Sequence, residues 1–186
     1  IMALTYSSML DLQTDLIPFS LLNTVTNQTF SSEHLDLTKP TLIMFVCNHC
    51  PYVIHYHKEI IKLATDYLDC INIVAISSND ITTHPEDSPE KMRNLWDDLG
   101  LRFPYLYDES QELAKKYQAE CTPEFYLFDS NRKLVYRGRM DDSSPGSSSK
   151  PTAKDLRLAI DNLLANKTIL EEQFPSMGCN IKWKSN

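Results

Sequence analysis

The chain has 186 residues, of which 42% are hydrophobic and 10% aromatic, and its formal net charge is −7. This length fits one domain or a domain with extensions, and the apolar content argues against wholesale disorder. The negative charge and the absence of a Lys/Arg run argue against a nucleic-acid partner, and the absence of a stretch of roughly 20 apolar residues argues against a membrane-spanning helix.

The segment after Met2 has no basic region and no long apolar region, and it does not resemble a signal peptide. The odd number of cysteines in a chain of this size does not suit a disulfide scaffold. They are Cys47, Cys50, Cys70, Cys121 and Cys179. Both features predict a reducing, cytoplasmic compartment, provided that no signal sequence has been removed.

The first half of the chain predicts a βαβ unit after a hairpin. Residues 20–30 indicate two short strands around an Asn/Thr turn, and residues 41–46 form the continuous apolar run of a strand buried on both faces. Apolar residues then recur at helical spacing from Val53 to Tyr67, and a second apolar run covers residues 71–77. Strand, helix, strand predicts parallel strands joined by a right-handed crossover.

The second half predicts shorter elements. A polar loop at 79–89 leads into a helix that Ser88 caps and that ends near Gly100. Thr152 and Asp155 predict a variant of the capping box at the last helix. The other predicted elements are a strand at 103–108, a short helix through Lys116, hairpin strands at 124–129 and 133–138, and a flexible loop at 143–150.

The order of these elements predicts an α/β sandwich of three layers, in which a central mixed sheet has helices on both faces. We expect residues 1–186 to form a single domain. Residues 1–38 would form an N-terminal hairpin extension, and residues 167–186 an irregular C-terminal tail.

The sequence FVCNHCPYV at 45–53 puts Cys47 at the end of the buried strand and Cys50 in the first turn of the next helix. A helix N-terminus stabilises thiolate, which is the attacking species. Two intervening residues let one cysteine attack a disulfide and the other release the product. We assign attack to Cys47, expected at the exposed cap, and resolution to Cys50. Pro51 is tolerated because first-turn amides have no helical partners.

His49 lies beside the second cysteine. A protonated His49 would lower the pKa of Cys47 and make the disulfide more oxidising, whereas a solvent-facing loop histidine is the alternative. Asn48 and Pro51 complete the residues expected to tune the pair. Zinc normally needs four ligands, and no second Cys-x-x-Cys or His-x-x-x-His completes a set. We therefore expect no metal and no other cofactor.

A second signal is CTPEFYLF at 121–128. Together with FVCNHCP at a strand–helix junction, it makes the chain resemble the thioredoxin family over nearly its whole length. The resemblance implies a thioredoxin-like fold and a cis bond between Thr122 and Pro123, packed beside the active-site disulfide. The backbone of Thr122 would then be available to an extended substrate chain next to Cys47. A trans proline that opens an edge strand is the alternative.

More narrowly, the chain resembles the redoxin branch, which includes AhpC/TSA and TlpA-like proteins. The leader at 16–35 is similar to the N-terminal hairpin of that branch, and the closing GCNIKWK resembles a bacterial subgroup with a CNHCPYV site. Several positions depart from the thioredoxin pattern: Val46 replaces a tryptophan, Asn48 and His49 replace Gly-Pro, and Thr41 replaces a buried acid. Another group, or water, must therefore take the proton from Cys50. Glu124 is a candidate, with a surface carboxylate as the alternative.

These features predict an enzyme, a thiol–disulfide oxidoreductase that exchanges a Cys-x-x-Cys pair with protein or small-molecule disulfides and thiols, through a reductant that the sequence does not identify. A peroxiredoxin-like thiol peroxidase is the first alternative. Pro40 and Cys47 match the ends of the peroxiredoxin motif, but Met44 replaces its threonine. Arg137 or Arg139 would have to lie near the sulfur.

The second alternative is a non-enzymatic metal-binding or interaction module, in which Cys47, Cys50 and a histidine hold a soft ion such as Cu(I). Two further cysteines are possible auxiliary thiols. Cys121 would lie close to the pair, either as a redox partner or as a small buried apolar residue. Cys179, in the tail, suggests a second redox role, and a Cys121–Cys179 disulfide is a further hypothesis.

Overall fold

The computed structural model describes residues 4–185, with strands and helices in nearly the predicted order. The strands are β1 (Leu4–Tyr6), β2 (Ser20–Asn23), β3 (Gln28–Ser31), β4 (Thr41–Phe45), β5 (Asn72–Ser77), β6 (Tyr105–Tyr107), β7 (Cys121–Thr122), β8 (Glu124–Phe128), β9 (Leu134–Gly138) and β10 (Met177–Asn180). The α-helices are α1 (Pro51–Tyr67), α2 (Pro89–Asp98), α3 (Glu112–Lys116) and α4 (Lys154–Leu164).

The main sheet has seven strands in the order β3-β2-β6-β5-β4-β8-β9. Strand β5 pairs in parallel with β4 on one side and with β6 on the other. Strand β8 pairs antiparallel with both β4 and β9. The sheet is therefore mixed, and the predicted βαβ unit and fold class are confirmed. The β2–β3 hairpin pairs antiparallel with β6 and extends the sheet at one edge.

Strand β4 lies inside the sheet, and every one of its residues is buried. Leu42 and Met44 pack into the apolar cluster that includes side chains of α1, α2 and α4. Ile43 and Phe45 point to the opposite face, into the cluster that includes α3. Alternating side chains of one strand thus feed two cores. This explains why the strand is a continuous apolar run and why the fold has three layers.

A second, three-stranded sheet joins the two ends of the chain, in the order β1-β10-β7. Strand β10 pairs antiparallel with β7, so that Cys179 lies opposite Thr122 and Asn180 opposite Cys121. The prediction of a wholly irregular tail is therefore wrong. Gly178 permits this pairing, because a Cβ atom there would overlap the carbonyl oxygen of Thr122 and lie 2.7 Å from its carbonyl carbon.

The two longer helices of the second half begin differently. The Ser88 side chain accepts a hydrogen bond from the Lys91 amide at the start of α2, as predicted. The predicted capping box of α4 is wrong, because its N-cap is Ala153. The buried carboxylate of Asp141 instead accepts hydrogen bonds from the amides of Thr152 and Ala153, at 2.6 and 2.7 Å.

Within the described residues, no helix combines the length and the apolar character needed to cross a bilayer.

Candidate active site

The two cysteines of the Cys-x-x-Cys sequence lie between β4 and α1. Cys47 follows the strand, separated from it by Val46. Cys50 is the N-cap residue of α1, and Pro51 is the first helical residue. The carbonyl oxygen of Cys50 accepts hydrogen bonds from the amides of Val53 and Ile54, both at 3.0 Å. Cys50 therefore precedes the helix rather than lying in its first turn, one position from the prediction.

Both sulfurs are buried. Cys47 is 1% exposed and Cys50 is fully inaccessible to solvent, so the expectation of an exposed Cys47 is wrong. The main neighbour of both is Thr122 on β7. The Thr122 hydroxyl lies 3.4 Å from the sulfur of Cys47, and the thiol of Cys50 donates to the Thr122 carbonyl oxygen at 3.3 Å. The peptide bond between Thr122 and Pro123 is cis.

A third thiol completes what we call the thiol cluster: Cys47, Cys50 and Cys179. None of the three forms a disulfide in the structure. Hydrogen bonds from the thiols of Cys179 and Cys47 lower the pKa of Cys50, against the opposing effect of burial, and the amide of Val53 adds to the lowering. The pKa values of Cys47 and Cys179 are raised because each donates to Cys50 and is itself buried. Among the three thiols of the cluster, Cys50 is therefore the one whose pKa is lowered.

A buried carboxylate that the sequence did not point to lies beside this cluster. Asp87 belongs to a 3-10 turn at Pro85–Asp87, and its side chain is inaccessible to solvent. It accepts hydrogen bonds from the Asn48 amide at 2.8 Å and from the Asn79 side chain at 2.7 Å. His49 approaches it with Nδ1 at 2.8 Å. The Nδ1 atom makes no hydrogen bond of regular geometry, so the contact is an ion pair when His49 is protonated.

Asn48 fastens the loop of the cysteines to its surroundings. Its side-chain amide donates to the carbonyl oxygen of Glu86 at 2.8 Å, and its side-chain oxygen accepts from the hydroxyl of Tyr105 at 3.1 Å. The loop that follows β5 is thereby connected to the loop that follows β4. These strands are parallel neighbours, so their carboxyl ends meet at one edge of the sheet. The polar sequence at 79–89, placed at that edge, is the signal by which Asp87 could have been found.

The main interaction partner of the His49 ring is Asp87. This contact raises the pKa of His49, with a smaller contribution from Glu86, whose carboxylate lies 3.7 Å away. The ring of His49 also stacks on that of His84, with centroids 5.2 Å apart. The sequence predicted that His49 lowers the pKa of Cys47. The pKa of Cys47 is instead raised, through Cys50, burial and the charge of Asp87.

On the other side of β7 lies what we call the carboxylate pocket: Cys121, Glu124 and Tyr126. Glu124 is buried, so the surface alternative for it is wrong. Its carboxylate accepts from the Tyr126 hydroxyl at 2.6 Å and from the amides of Glu120 and Cys121 at 3.0 and 3.3 Å. Burial chiefly raises the pKa values of Glu124 and of Cys121, whose sulfur lies 3.8 Å from the carboxylate.

This position of Cys121 contradicts the Cys121–Cys179 disulfide hypothesis. Cys179 is paired with Thr122, whose hydroxyl contacts Cys47, whereas Cys121 is paired with Asn180 and contacts Glu124. Successive residues of a strand point to opposite faces. The sulfurs of Cys121 and Cys179 therefore lie on opposite faces of the small sheet.

Within residues 4–185, the features that a peroxidase would need are not assembled around Cys47. Met44 is buried within β4. The guanidinium of Arg137 donates to the Leu10 carbonyl oxygen at 2.8 Å and to Gln173 at 2.9 Å. That of Arg139 pairs with Asp155 at 2.6 Å. The charged group near Cys47 is instead the carboxylate of Asp87.

One trio among the described residues has ligand spacing. Cys47, His49 and Asp87 each offer an atom, and these atoms lie within 4.8 Å of one another. Three ligands are one fewer than a closed zinc site uses. Two of the three, His49 and Asp87, already form an ion pair with each other.

Comparisons with known proteins agree with this architecture. The family model described as Redoxin matches residues 12–156. The crystal structure of an uncharacterized conserved protein from Geobacillus kaustophilus is 46% identical, has a TM-score of 0.96, and is aligned over 100% of this chain and 98% of that one. A hypothetical protein from Sinorhizobium meliloti 1021 is 38% identical, with a TM-score of 0.94 and coverage of 98% and 100%.

A more distant structure is a secreted disulfide oxidoreductase of Mycobacterium tuberculosis. It is 14% identical, with a TM-score of 0.59, and the alignment covers 78% of this chain and 96% of that one. At this identity the likeness bears on the fold alone. No curated protein sequence matches the chain.

Proposed function

The chain belongs to the redoxin branch of the thioredoxin-like proteins, and on this basis we propose that it is a thiol–disulfide oxidoreductase that uses Cys47 and Cys50. The observation that carries the proposal is that both sulfurs contact Thr122, at 3.4 and 3.3 Å, beside the N-terminus of α1, where the two thiols also interact with each other. In the reaction, the two cysteines form a disulfide and give up two electrons and two protons. A substrate disulfide takes them and leaves as two thiols.

The shared hydrogen bond supports the assignment of attack to Cys47. Transfer of the Cys47 proton to the Cys50 thiolate moves the negative charge onto Cys47 without bringing a charge in from solvent. Cys47 then attacks the substrate disulfide and releases one substrate thiolate. Cys50 passes its proton to that substrate thiolate, and its own thiolate is stabilised by the hydrogen-bond donors around it. Cys50 then attacks the sulfur of Cys47 and releases the second substrate thiolate.

His49 and Asp87 would tune this exchange as a pair. A protonated His49 compensates the charge of Asp87, which by itself raises the pKa of Cys47. Asn48 and Pro51 would act through position, since Asn48 ties the loop to Glu86 and Tyr105, and Pro51 begins α1. A positioning role of this kind predicts altered rates or potentials in variants, rather than complete loss of exchange.

The substrates we propose are protein or small-molecule disulfides. The predicted groove at Thr122 and Pro123 is partly occupied, because the Thr122 edge is paired with β10. A cavity of about 270 Å³ opens beside Pro123, and Met177 of β10 also lines it. A small disulfide could approach from this side, whereas an extended chain would have to displace β10.

The test is a redox equilibration followed by thiol counting. Protein is incubated in glutathione buffers, denatured in acid, alkylated and mapped by mass spectrometry. The reduced chain should carry five alkylated cysteines, and the oxidised chain should lack two of them, joined as Cys47–Cys50. Cys70→Ser is the control, because Cys70 is exposed and its loss should leave the disulfide unchanged. Five alkylated cysteines under every oxidising condition would contradict the proposal.

A further inference from the structure

Strand β10 occupies the edge that the sequence assigned to a substrate chain. Cys179 lies directly opposite Thr122, in an antiparallel pair with the residue that precedes the cis bond. The chain reaches this position because Gly178 has no side chain to overlap Thr122. The molecule therefore supplies its own strand, and with it a cysteine, at the place where a disulfide substrate would be presented.

The cysteine of this strand touches Cys50. Cys50 and Cys179 belong to the same buried apolar cluster, and their thiols interact there. The Cys50 sulfur also contacts the carbonyl oxygen of Thr122 at 3.3 Å, on the residue with which Cys179 is paired. Cys50 is thus the thiol shared by two contacts, one with Cys47 and one with Cys179.

We propose that Cys179 is a third redox-active thiol of this site, which exchanges with the Cys47–Cys50 disulfide to give a Cys50–Cys179 disulfide. The proposal rests on the proposed function, since it starts from that disulfide. The sulfur of Cys179, as thiolate, attacks the sulfur of Cys50. The bond between Cys50 and Cys179 forms, and the bond between Cys47 and Cys50 breaks. Cys47 leaves as thiolate and takes up the proton that Cys179 lost, so no other oxidant or reductant is consumed.

The exchange changes which cysteine is a free thiol and how β10 is held at the Thr122 edge. In the Cys47–Cys50 form, hydrogen bonds and packing hold β10 over the Thr122 edge. In the Cys50–Cys179 form, a covalent bond fastens β10 to the N-cap of α1. The protein remains oxidised in both forms. In the second form, however, Cys47 is a thiol again and extended chains are excluded from the edge.

The test uses variants that leave one possible partner for Cys50. In Cys47→Ser/Cys70→Ser protein, three cysteines remain, and glutathione oxidation should join Cys50 to Cys179 and leave one alkylatable thiol. Cys121→Ala added to this background is the matched control, because Cys121 is equally buried but lies on the other face. It should still form the disulfide. Cys179→Ser added instead should abolish it.

A separate variant distinguishes failure of this proposal from failure of the proposed function. Cys70→Ser/Cys179→Ser protein keeps Cys47 and Cys50, and it should form their disulfide. If it does, while folded Cys47→Ser/Cys70→Ser protein keeps three thiols or only adds glutathione at Cys50, the role of Cys179 is overturned and the proposed function stands. Cooperative thermal unfolding of each variant establishes that it is folded.

If the Cys50–Cys179 disulfide forms, it should also hold β10 in place. Amide exchange across Met177–Asn180 should then slow at least tenfold on oxidation, and unchanged exchange would contradict the covalent attachment of β10.

Discussion

The two sides of strand β7 shift the pKa values of two buried thiols, Cys50 and Cys121, in opposite directions. On one side, Thr122 faces the thiol cluster, where the pKa of Cys50 is lowered. On the other, Cys121 lies in the carboxylate pocket, where burial and Glu124 raise its pKa. Both thiols are fully buried, so burial alone does not decide which cysteine is reactive.

The difference lies in where the hydrogen-bond donors point. In the thiol cluster, two thiols and the Val53 amide donate to the sulfur of Cys50, at the N-cap of a helix. In the carboxylate pocket, the Tyr126 hydroxyl and two amides donate to Glu124. The donors therefore favour an anion on the sulfur of Cys50 on one side of β7, and on the carboxylate of Glu124 on the other.

The largest expected effect comes from removing Cys50. In a Cys70→Ser background, Cys50→Ser should slow alkylation of the native protein at about pH 6 on the order of 10²-fold, because an ordinary thiol is less than about 1% thiolate there. The rate is measured with iodoacetamide and mass spectrometry. Cys121→Ala in the same background should leave the rate unchanged. Equal slowing by both substitutions would mean that the two sides of β7 do not differ in reactivity.

The next largest effect tests whether the thiols on the two sides of β7 depend differently on β10. Gly178→Val should destabilise the protein by about 1–3 kcal/mol, because the new side chain overlaps Thr122 and forces β10 off its edge. Urea unfolding measures the loss. Alkylation should speed up at Cys179 but not at Cys121, which Glu124 and β8 still cover. Gly100→Asn is the control, since Gly100 has open space around it and a φ of +69° that asparagine tolerates. Faster alkylation of Cys121 alone would contradict this account.

A smaller effect concerns the carboxylate pocket. The raised pKa of Glu124 means that folding favours its protonated form. Its contribution is complete below the usual pKa of 4.5 and is lost as the pH rises through the pKa in the folded protein. Relative to Glu124→Gln, the wild type should therefore gain stability when the pH falls from about 8 to about 5. Urea unfolding at both values measures the difference, and a constant difference would show that Glu124 does not titrate in this range.

The sequence predicts those features of the site that are encoded in a short continuous segment. The apolar run of β4, the helical spacing of α1 and the Cys-x-x-Cys sequence at their junction predict where Cys47 and Cys50 lie, to within one position. The assignment to the redoxin branch is confirmed, because its family model matches most of the chain. The narrower CNHCPYV subgroup stays a prediction.

The parts that the sequence misses depend on pairings between distant short segments. Strand β10 follows β7 by more than fifty residues in the sequence, and neither strand is long enough to show periodicity. Asp87 reaches the cysteines from a separate loop. Asp87 brings a negative charge near Cys47, and β10 brings Cys179 to Cys50, so the direction of the Cys47 pKa shift could not be derived from the residues around it in the sequence.

The smallest effect tests whether Asp87 acts on His49 as the structure indicates. The contact with Asp87 raises the pKa of His49 above its usual 6.5, so Asp87→Asn should lower it. Glu86→Gln is the matched variant and should lower it less, because its carboxylate lies 3.7 Å from Nδ1, compared with 2.8 Å for Asp87. NMR titration of the histidine ring measures both shifts.

Stability gives the same test a second measurement with a fixed sign. The raised pKa of His49 contributes stability that is complete below 6.5 and is lost as the pH rises through the pKa in the folded protein. The wild type should therefore lose stability relative to Asp87→Asn as the pH rises above 6.5 through that interval. The carboxylate pocket differs in this respect. The hydrogen-bond donors to the Glu124 carboxylate are a tyrosine hydroxyl and two backbone amides, and none of them is a histidine. If the two substitutions lowered the pKa of His49 equally, distance to the carboxylate would not control it. The raised pKa of His49 would then have to be attributed to its stacking on His84.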